Sequence, residues 1–414
     1  MELTSREAIE RVQLKRLQEL LATVLGANGF YSRRVGEVPR SLTEFVERVP
    51  YTRKQELVED QSQHPPYGTN LTFPLERYSR YCQTSGTTGM PMRWLDTAES
   101  WEWMRGNWRR VFEAAAVRSD DRIFFASSFG PFLGFWLGFE AAAQMGCLCL
   151  PGGGLRSAAR LEMIIENQAT VLCCTPTYAI RLAEAAREED IDLSKARIRT
   201  IVAAGEPGAS IPGTRRHISD LWNGARVVDH HGMTETGPVS YGCPRREGVL
   251  HVIESAYFPE IIDRGDGEGE LVLTPLGRAG SPVLRYRTGD IVRRADSDVC
   301  ECGSHELALA GGILGRVDDV VVVRGVNVYP GAVENVLRAA GGISEYRVEV
   351  RTSGAMLDLH LYVEPVVDRE TDVQLGAHLE AALHKAFSLR MPVSVVPAGS
   401  LPRFEMKAKR WVRQ

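Results

Sequence analysis

Several common signatures are missing from this chain. No Gly-Lys dipeptide occurs, which excludes the Walker-type phosphate loop. No G-x-S-x-G elbow and no H-E-x-x-H pair occurs, so a serine hydrolase of that design and a zincin-type metalloprotease are excluded as well. The acidic run Gly265-Asp-Gly-Glu-Gly269 precedes a strand pattern, whereas a dinucleotide fingerprint follows one. An excess of one charge is also lacking. The 49 Lys and Arg against 53 Asp and Glu leave a net charge of -4 and no basic field for nucleic acid. Long apolar runs are broken. From Phe124 to Leu150 the only charge is Glu140, but Pro131, several glycines and Gln144 interrupt the stretch, which predicts a buried strand–loop–helix and no membrane span. Charges run through the first 26 residues, where a secretion signal needs an apolar centre. The eight cysteines are therefore expected as reduced thiols in a cytoplasmic protein rather than as a disulfide framework. Neither an internal repeat nor a low-complexity tail is visible.

The 414 residues that are present exceed one ordinary domain and allow a large core with a smaller appended unit. The opening segment predicts an amphipathic helix. Thr4 and Glu7 have capping-box spacing, Leu14, Leu17, Leu21 and Val24 share a face, and Gly26 can end it. Strands predicted at Arg122 to Ala126, Thr170 to Cys174, Arg199 to Ala203 and Arg226 to Asp229 alternate with helices such as Ala158 to Gln168 and Tyr178 to Glu188. That alternation is the pattern of a layered α/β domain with much parallel sheet. From Glu270 to Arg294 β-structure with turns takes over. Beyond Gly315 the pattern becomes α+β. A β-rich run at Asp319 to Arg324 precedes a helix at Pro330 to Ala339, strands at Tyr346 to Arg351 and Leu357 to Val363, a helix at Asp372 to Phe387 and a strand near Val393. The expected fold class is α/β, with a large layered N-terminal domain over 1–317 and a small α+β C-terminal domain over 318–414.

The densest chemical segment is Tyr81-Cys-Gln-Thr-Ser-Gly-Thr-Thr-Gly-Met-Pro91. Glycines let a backbone approach a ligand closely, and hydroxyls with amides can surround phosphate oxygens. By composition alone an ordinary surface turn fits equally well. Further segments follow in order: Ala204-Gly-Glu-Pro207, His231-Gly-Met-Thr-Glu235, Tyr286-Arg-Thr-Gly-Asp290, Leu314-Gly-Arg-Val-Asp-Asp-Val320 and Arg403-Phe-Glu-Met-Lys-Ala-Lys-Arg410. Together, from about residue 50 to the end, they resemble the adenylate-forming superfamily of acyl-CoA synthetases, luciferases and peptide-synthetase adenylation domains. The run Leu314 to Pro330, the segment Phe258-Pro-Glu-Ile-Ile262 and the short length are most similar to its phenylacetate–CoA ligase branch.

That resemblance implies a fold of the adenylate-forming type and a set of roles. Thr84, Ser85, Gly86, Thr87, Thr88 and Gly89 would hold the ATP phosphates. Glu235 would help hold Mg²⁺, and Asp290 would accept from the ribose hydroxyls. Gly205, Glu206, Pro207, His230, His231, Gly232, Met233 and Thr234 would border the nucleotide, with Glu206 and His231 at the adenine. Arg316 would lie near the nucleotide, and Asp318 would be the hinge between domains. Lys407 would be the catalytic cation, acting with Glu235 and Thr84; Lys409 is the alternative. Two departures stand out. Met90 and Met92, followed by Arg93, occupy positions where many relatives carry a lysine, and His231 replaces the tyrosine that commonly stacks on adenine.

The run Phe129-Gly-Pro-Phe-Leu-Gly-Phe-Trp136 resembles the acid pocket of that branch, with Phe129, Gly130, Phe132, Phe135, Ala204, Gly205 and Gly232 as lining candidates for an aryl acid. Cys243, His251, Cys300 and Cys302 offer a Cys₃His set for structural Zn²⁺, with His305 as the other nitrogen donor. The implied reaction joins a carboxylic acid to AMP from ATP and passes the acyl group to coenzyme A. A carrier-protein thiol or an amine remains as an alternative acceptor, and a degenerate nucleotide-binding regulatory protein as the reading from another class. The oligomeric state, a homodimer included, is left open.

Overall fold

Two short segments are buried throughout and apolar but for Thr200: Val171–Cys174 and Thr200–Ala204. Strands covered on both faces have this pattern, whereas half-solvated strands alternate. They form the middle of a parallel sheet in the computed structural model of the protein, which describes residues 5–84, 91–265, 267–323, 326–353, 356–366, 372–404 and 408–413. Three helices come first: α1 (Arg6–Val24), α2 (Leu42–Arg48) and α3 (Lys54–Gln63). The antiparallel pair β1 (Tyr78–Gln83) and β2 (Arg93–Thr97) leads into α4 (Ala98–Ala114). Strands β3 (Arg122–Phe125), β4 (Leu148–Pro151), β5 (Val171–Cys174), β6 (Thr200–Ala204) and β7 (Arg226–His230) then alternate with α5 (Leu133–Gln144), α6 (Ser157–Glu166), α7 (Pro176–Glu188) and α8 (Pro212–Leu221). All five strands are parallel in the order β4-β3-β5-β6-β7. The order reverses between β3 and β5, and open sheets of this kind bind ligands at the carboxyl ends of the strands beside such a switch.

Antiparallel structure follows. β8 (Gly232–Met233) pairs with β9 (Gly237–Pro238), and β10 (Ser240–Gly242) pairs with β11 (Val249–Val252). β12 (Tyr257–Gly265), β13 (Glu268–Pro275) and β14 (Tyr286–Arg293) form a sheet completed by β16 (Gly315–Arg316), while β15 (Ala308–Ala310) joins β11. The C-terminal part holds the hairpin β17 (Val321–Val323) and β18 (Val326–Val328), helices α9 (Pro330–Ala340) and α10 (Asp372–Phe387), and a sheet of β19 (Ile343–Ser353), β20 (Met356–Pro365), β21 (Val393–Val395) and β22 (Trp411–Arg413). Val333, Leu337, Val348, Leu361, Leu379 and Leu383 fill a core of its own. The α/β class and the expected elements are therefore present with ends shifted by a few residues. One detail differs: α1 is capped by Ser5, whose hydroxyl accepts from the Ala8 N–H at 3.2 Å, while Thr4 lies outside the described residues. No helix among the described residues is long and apolar enough to cross a membrane.

One buried ion pair ties the first hairpin to the second half of the domain. Arg278 and Asp96 are both 0% exposed. The Arg278 Nε and Nη2 donate to the two Asp96 oxygens at 2.7 and 2.6 Å, and Nη1 donates to the Thr234 carbonyl at 2.6 Å, with the guanidinium over the Trp94 ring. A buried charge left without its partner costs far more than the pair gains. Asp96→Ala is therefore expected to lower unfolding stability by about 3–5 kcal/mol. Chemical denaturation checks this, and a loss below about 1 kcal/mol, the scale of an exposed pair, would remove the role assigned to it.

Candidate active site

Ala204 and His230 are register partners at the carboxyl ends of β6 and β7, so the loops that leave them run side by side. The first turns through Gly205, whose φ of +96° suits glycine, into Glu206 and Pro207. The second carries His231 to Glu235. Gly232 is required there by space: a Cβ would sit 2.9 Å from the Gly237 carbonyl oxygen and 3.4 Å from the His230 Nε2. The His231 Nε2 lies 3.0 Å from the Asp290 carboxylate. Arg316 is the direct cross-strand partner of Asp290, and its Nη1 donates to the other Asp290 oxygen at 2.8 Å. The exposed Asp318 sits in the turn just beyond β16.

Glu235 is buried, with the Lys54 ammonium 3.1 Å away, and burial together with the Glu235 charge pushes the Tyr286 hydroxyl well above the usual range. The carbonyl of its neighbour Thr234 is held by Arg278. Thr84 closes the β1–β2 hairpin: its hydroxyl accepts from the Met92 N–H at 3.0 Å. Met92 is buried core and Arg93 turns its guanidinium to the Pro66 carbonyl, so neither supplies the cation that relatives carry near the phosphate loop. Ser85, Gly86, Thr87, Thr88, Gly89, Met90 and Lys407 lie outside the described residues. Lys409 is exposed.

Glu206 bridges the two halves of the chain. Its carboxylate accepts from the Thr177 N–H, in the first turn of α7, at 2.8 Å and from the Ala408 N–H at 3.1 Å. Burial pushes its carboxyl above the usual range, against these bonds and Arg410. Other contacts also join the halves, among them Arg403 to Glu184 at 3.5 Å, Gly213 N–H to Asn335 at 3.0 Å, Arg410 to the Thr177 hydroxyl at 3.4 Å and the Tyr329 hydroxyl to Glu268 at 2.7 Å.

The aromatic run after β3 packs as one chain of rings. Phe129 lies 4.9 Å from Trp136 and 6.4 Å from Phe125, and Phe135 lies 6.2 Å from Trp108. Phe132 is half-buried beside the exposed Gly130. Trp108 of α4 extends the chain to His230, with ring centroids 4.3 Å apart. His230, expected beside the nucleotide, thus lies at the end of the aromatic run.

Cys243, His251, Cys300 and Cys302 come together although 59 positions separate the first from the last. Their ligand atoms all lie within 4.8 Å of one another. The Sγ atoms of Cys243 and Cys300 are 3.7 Å apart, and Cys302 Sγ is 3.4 Å from His251 Nε2. Tetrahedral Zn²⁺ bonds imply edges of about 3.8 and about 3.6 Å, so the donor set fits. The Glu306 carbonyl, 3.3 Å from His251 Nδ1, accepts its N–H and leaves the Nε2 lone pair for the cluster. His305 is not in the group.

Sequence reasoning missed two neighbours of this site. Lys54 opens α3 and gave no local signal, being one lysine among many charges. Asp229 is an acidic residue inside an apolar strand, which was a usable signal. Its carboxylate bonds to the Ser210 hydroxyl, lines a cavity of about 190 Å³ and is pushed up by burial.

Comparison with known proteins agrees with this geometry. The AMP-binding enzyme model matches residues 46–259 and the AMP-binding enzyme C-terminal domain matches 325–414. The phenylacetate–coenzyme A ligase of Thermus thermophilus is 30% identical over 98% of this chain and 96% of its own length. A 2-hydroxyisobutyryl-CoA ligase in its postadenylation state, 26% identical, superposes with a TM-score of 0.93 over 100% of this chain and 91% of that one. The same ligase in its thioesterification state, at 27% identity and the same coverage, gives 0.73. The chain belongs to the AMP-binding enzyme family, in its phenylacetate–CoA ligase-like branch, and is an adenylate-forming ligase.

The His230 ring yields a pH prediction. Its N–H donates from Nδ1 to the Ser240 carbonyl at 2.6 Å, and burial lowers its pKa from 6.5 to about 4. The folded protein refuses a proton that the unfolded chain accepts, so this contribution to stability is full above 6.5 and is lost as pH falls from 6.5 towards 4. An NMR titration should find the His230 ring neutral from pH 8 to 5 with a midpoint near 4. A midpoint near the ordinary value would contradict the buried, neutral ring.

Proposed function

We propose that the chain activates a carboxylic acid, with aryl acids favoured, in two half-reactions at one site. The acid carboxylate attacks the α-phosphorus of ATP and pyrophosphate leaves. The thiolate of coenzyme A then attacks the acyl carbon, and AMP leaves. The observation that carries this reading is the convergence of Glu206, His231, Glu235, Asp290 and Arg316, from four separate segments, on the carboxyl ends of β6 and β7. Asp290 would hold the ribose hydroxyls with Arg316 and His231 fixing its orientation. Glu235 offers hard oxygens that suit Mg²⁺, which would offset phosphate charge when bound. Lys54, beside Glu235, would supply the cation that Met90 and Met92 do not. The aromatic run supports a flat acid, because apolar walls reward a ring by burial, at about 25 cal/mol per Å² of apolar surface.

The segment around Ala408 sits at Glu206, and Lys407 precedes it. Lys407 would stabilise the charge that spreads over the α-phosphoryl oxygens. The better superposition on the postadenylation state supports a closed arrangement suited to the first half-reaction. Rotation about Asp318, between domains 1–317 and 318–414, would then admit the thiol. The Cys₃His cluster would hold a structural Zn²⁺ that staples the loop between β14 and β15 to β10 and β11. The eight free cysteines support a cytoplasmic setting.

ATP–pyrophosphate exchange with a panel of aryl and fatty acids, followed by thioester formation with coenzyme A, tests the whole reading. Exchange without a coenzyme A thioester would redirect the acceptor to a carrier-protein thiol or an amine. Lys407→Ala should slow adenylation by roughly 10²–10³ while sparing thiol attack on supplied acyl-adenylate. Equal damage to both steps would refute its role. Zinc should copurify at about one ion per chain, and Cys300→Ser should release it and lower the Tm. Metal-free protein with an unchanged melt, by elemental analysis and calorimetry, would dismiss the site.

A further inference from the structure

The loop that leaves β6 is packed hard against the first turn of α7. A Cβ on Gly208 would stand 2.6 Å from the Pro176 Cβ, so this approach needs glycine there. The contact fixes Glu206 beside Thr177, whose N–H is one of the donors that a helix leaves without an internal partner in its first turn. One Glu206 oxygen accepts that N–H at 2.8 Å, and the other accepts the Ala408 N–H at 3.1 Å. The first bond lies within the large part; the second crosses the join. Two residues after Ala408 the chain is locked to the small part. The Arg410 side chain donates to both oxygens of Glu345 at 2.6 and 3.1 Å, its carbonyl accepts from the Val348 N–H at 2.7 Å, and Trp411 begins β22. Glu206 thus grips the small part within two residues of its sheet, at the residue that follows Lys407 in the chain.

We propose that Glu206 is a positioning residue for adenylation: its carboxylate, held on α7 by Thr177, seats the Ala408 amide and so docks the segment that carries the lysine of the first half-reaction. The inference rests on the acid-activating reading with Lys407 as its cation, and it gives Glu206 a role other than bordering adenine, the one its motif suggests. An amide that docks on a carboxylate makes a charge-assisted bond, stronger than a neutral one. Both partners of the Thr177 bond belong to the large part, so a rearrangement of the small part leaves the acceptor preset. Only the Ala408 bond is made and broken, and the ordering of the acceptor need not be repeated at each closure.

The test separates the half-reactions of the full-length enzyme. ATP–pyrophosphate exchange with phenylacetate and benzoate reports the first. Thioester formation from synthetic phenylacetyl- or benzoyl-adenylate and coenzyme A reports the second. Glu206→Gln is isosteric and keeps one acceptor oxygen, but it turns an amide N–H towards one of the two backbone N–H groups. Exchange should fall in kcat by roughly ten- to a hundredfold with KM for ATP little changed, while the second half-reaction keeps its rate. A raised KM for ATP at unchanged kcat would mark Glu206 as a nucleotide contact and overturn the proposal. So would equal losses in both half-reactions, the pattern of a merely structural residue, or no loss at all. A second change leaves Glu206 and Thr177 untouched: an ester in place of the Ala408 amide removes only that N–H and should reproduce the same split. Native exchange rates in the ester enzyme would refute the docking role however Glu206→Gln folds. Exchange by the native enzyme with no acid of the aryl and fatty panel would instead defeat the acid-activating reading, and this inference with it.

Discussion

The guanidinium of Arg278 is the contact on which the arrangement of the candidate site depends. It has no water to fall back on, so its donors are committed to the Asp96 carboxylate and the Thr234 carbonyl. Asp96 belongs to β2, at the exit of the hairpin that Thr84 closes, and Thr234 precedes Glu235. Separating these segments would strand a charge in the interior, which costs several kcal/mol. The β1–β2 hairpin and the loop that carries Glu235 are therefore held at one spacing by this pair.

The join between the two halves of the chain is built on the opposite principle. The C-terminal part packs its own apolar core, and polar bonds cross the join: Ala408 to Glu206, Arg403 to Glu184, Arg410 to Thr177, Gly213 to Asn335 and Tyr329 to Glu268. Such bonds contribute about 0.5–1.5 kcal/mol each, because water replaces them when they open. Opening any one of these bonds therefore costs less than parting the β1–β2 hairpin from the buried Arg278. The chain superposes better on the postadenylation state of one related ligase than on its thioesterification state, 0.93 against 0.73.

Two histidines show how a backbone carbonyl sets side-chain chemistry. In His251 the Glu306 carbonyl takes the Nδ1 proton and points Nε2 at Cys302; in His230 the Ser240 carbonyl does the same and leaves Nε2 beside Trp108 and Gly232. Identical tautomers present Nε2 to thiols in one place and leave it beside Trp108 and Gly232 in the other.

Much of this was legible in the residues themselves. Continuous apolar runs identified β5 and β6 as doubly covered strands, the alternation of Leu357, Leu359, Leu361 and Val363 identified β20, and the order of the Thr84, Ala204, His231, Tyr286 and Leu314 segments identified the family. These are local properties, set by strand period and turn chemistry, and need no knowledge of distant neighbours. The Cys₃His set was also readable, since metal-binding residue types are few and stand out in a sequence. The tertiary structure alone decided which side chains face which. Lys54 reaches Glu235 across 181 positions, Trp108 reaches His230 across 122, and Arg278 reaches Asp96 across 182. No periodicity encodes such pairs, because each arises where helices and sheets pack and buried charge and hydrogen-bonding groups must find partners. For the same reason His230 could be placed on the nucleotide loop from its motif, while its tautomer and its aromatic neighbour followed only from Ser240 and Trp108 in the folded chain.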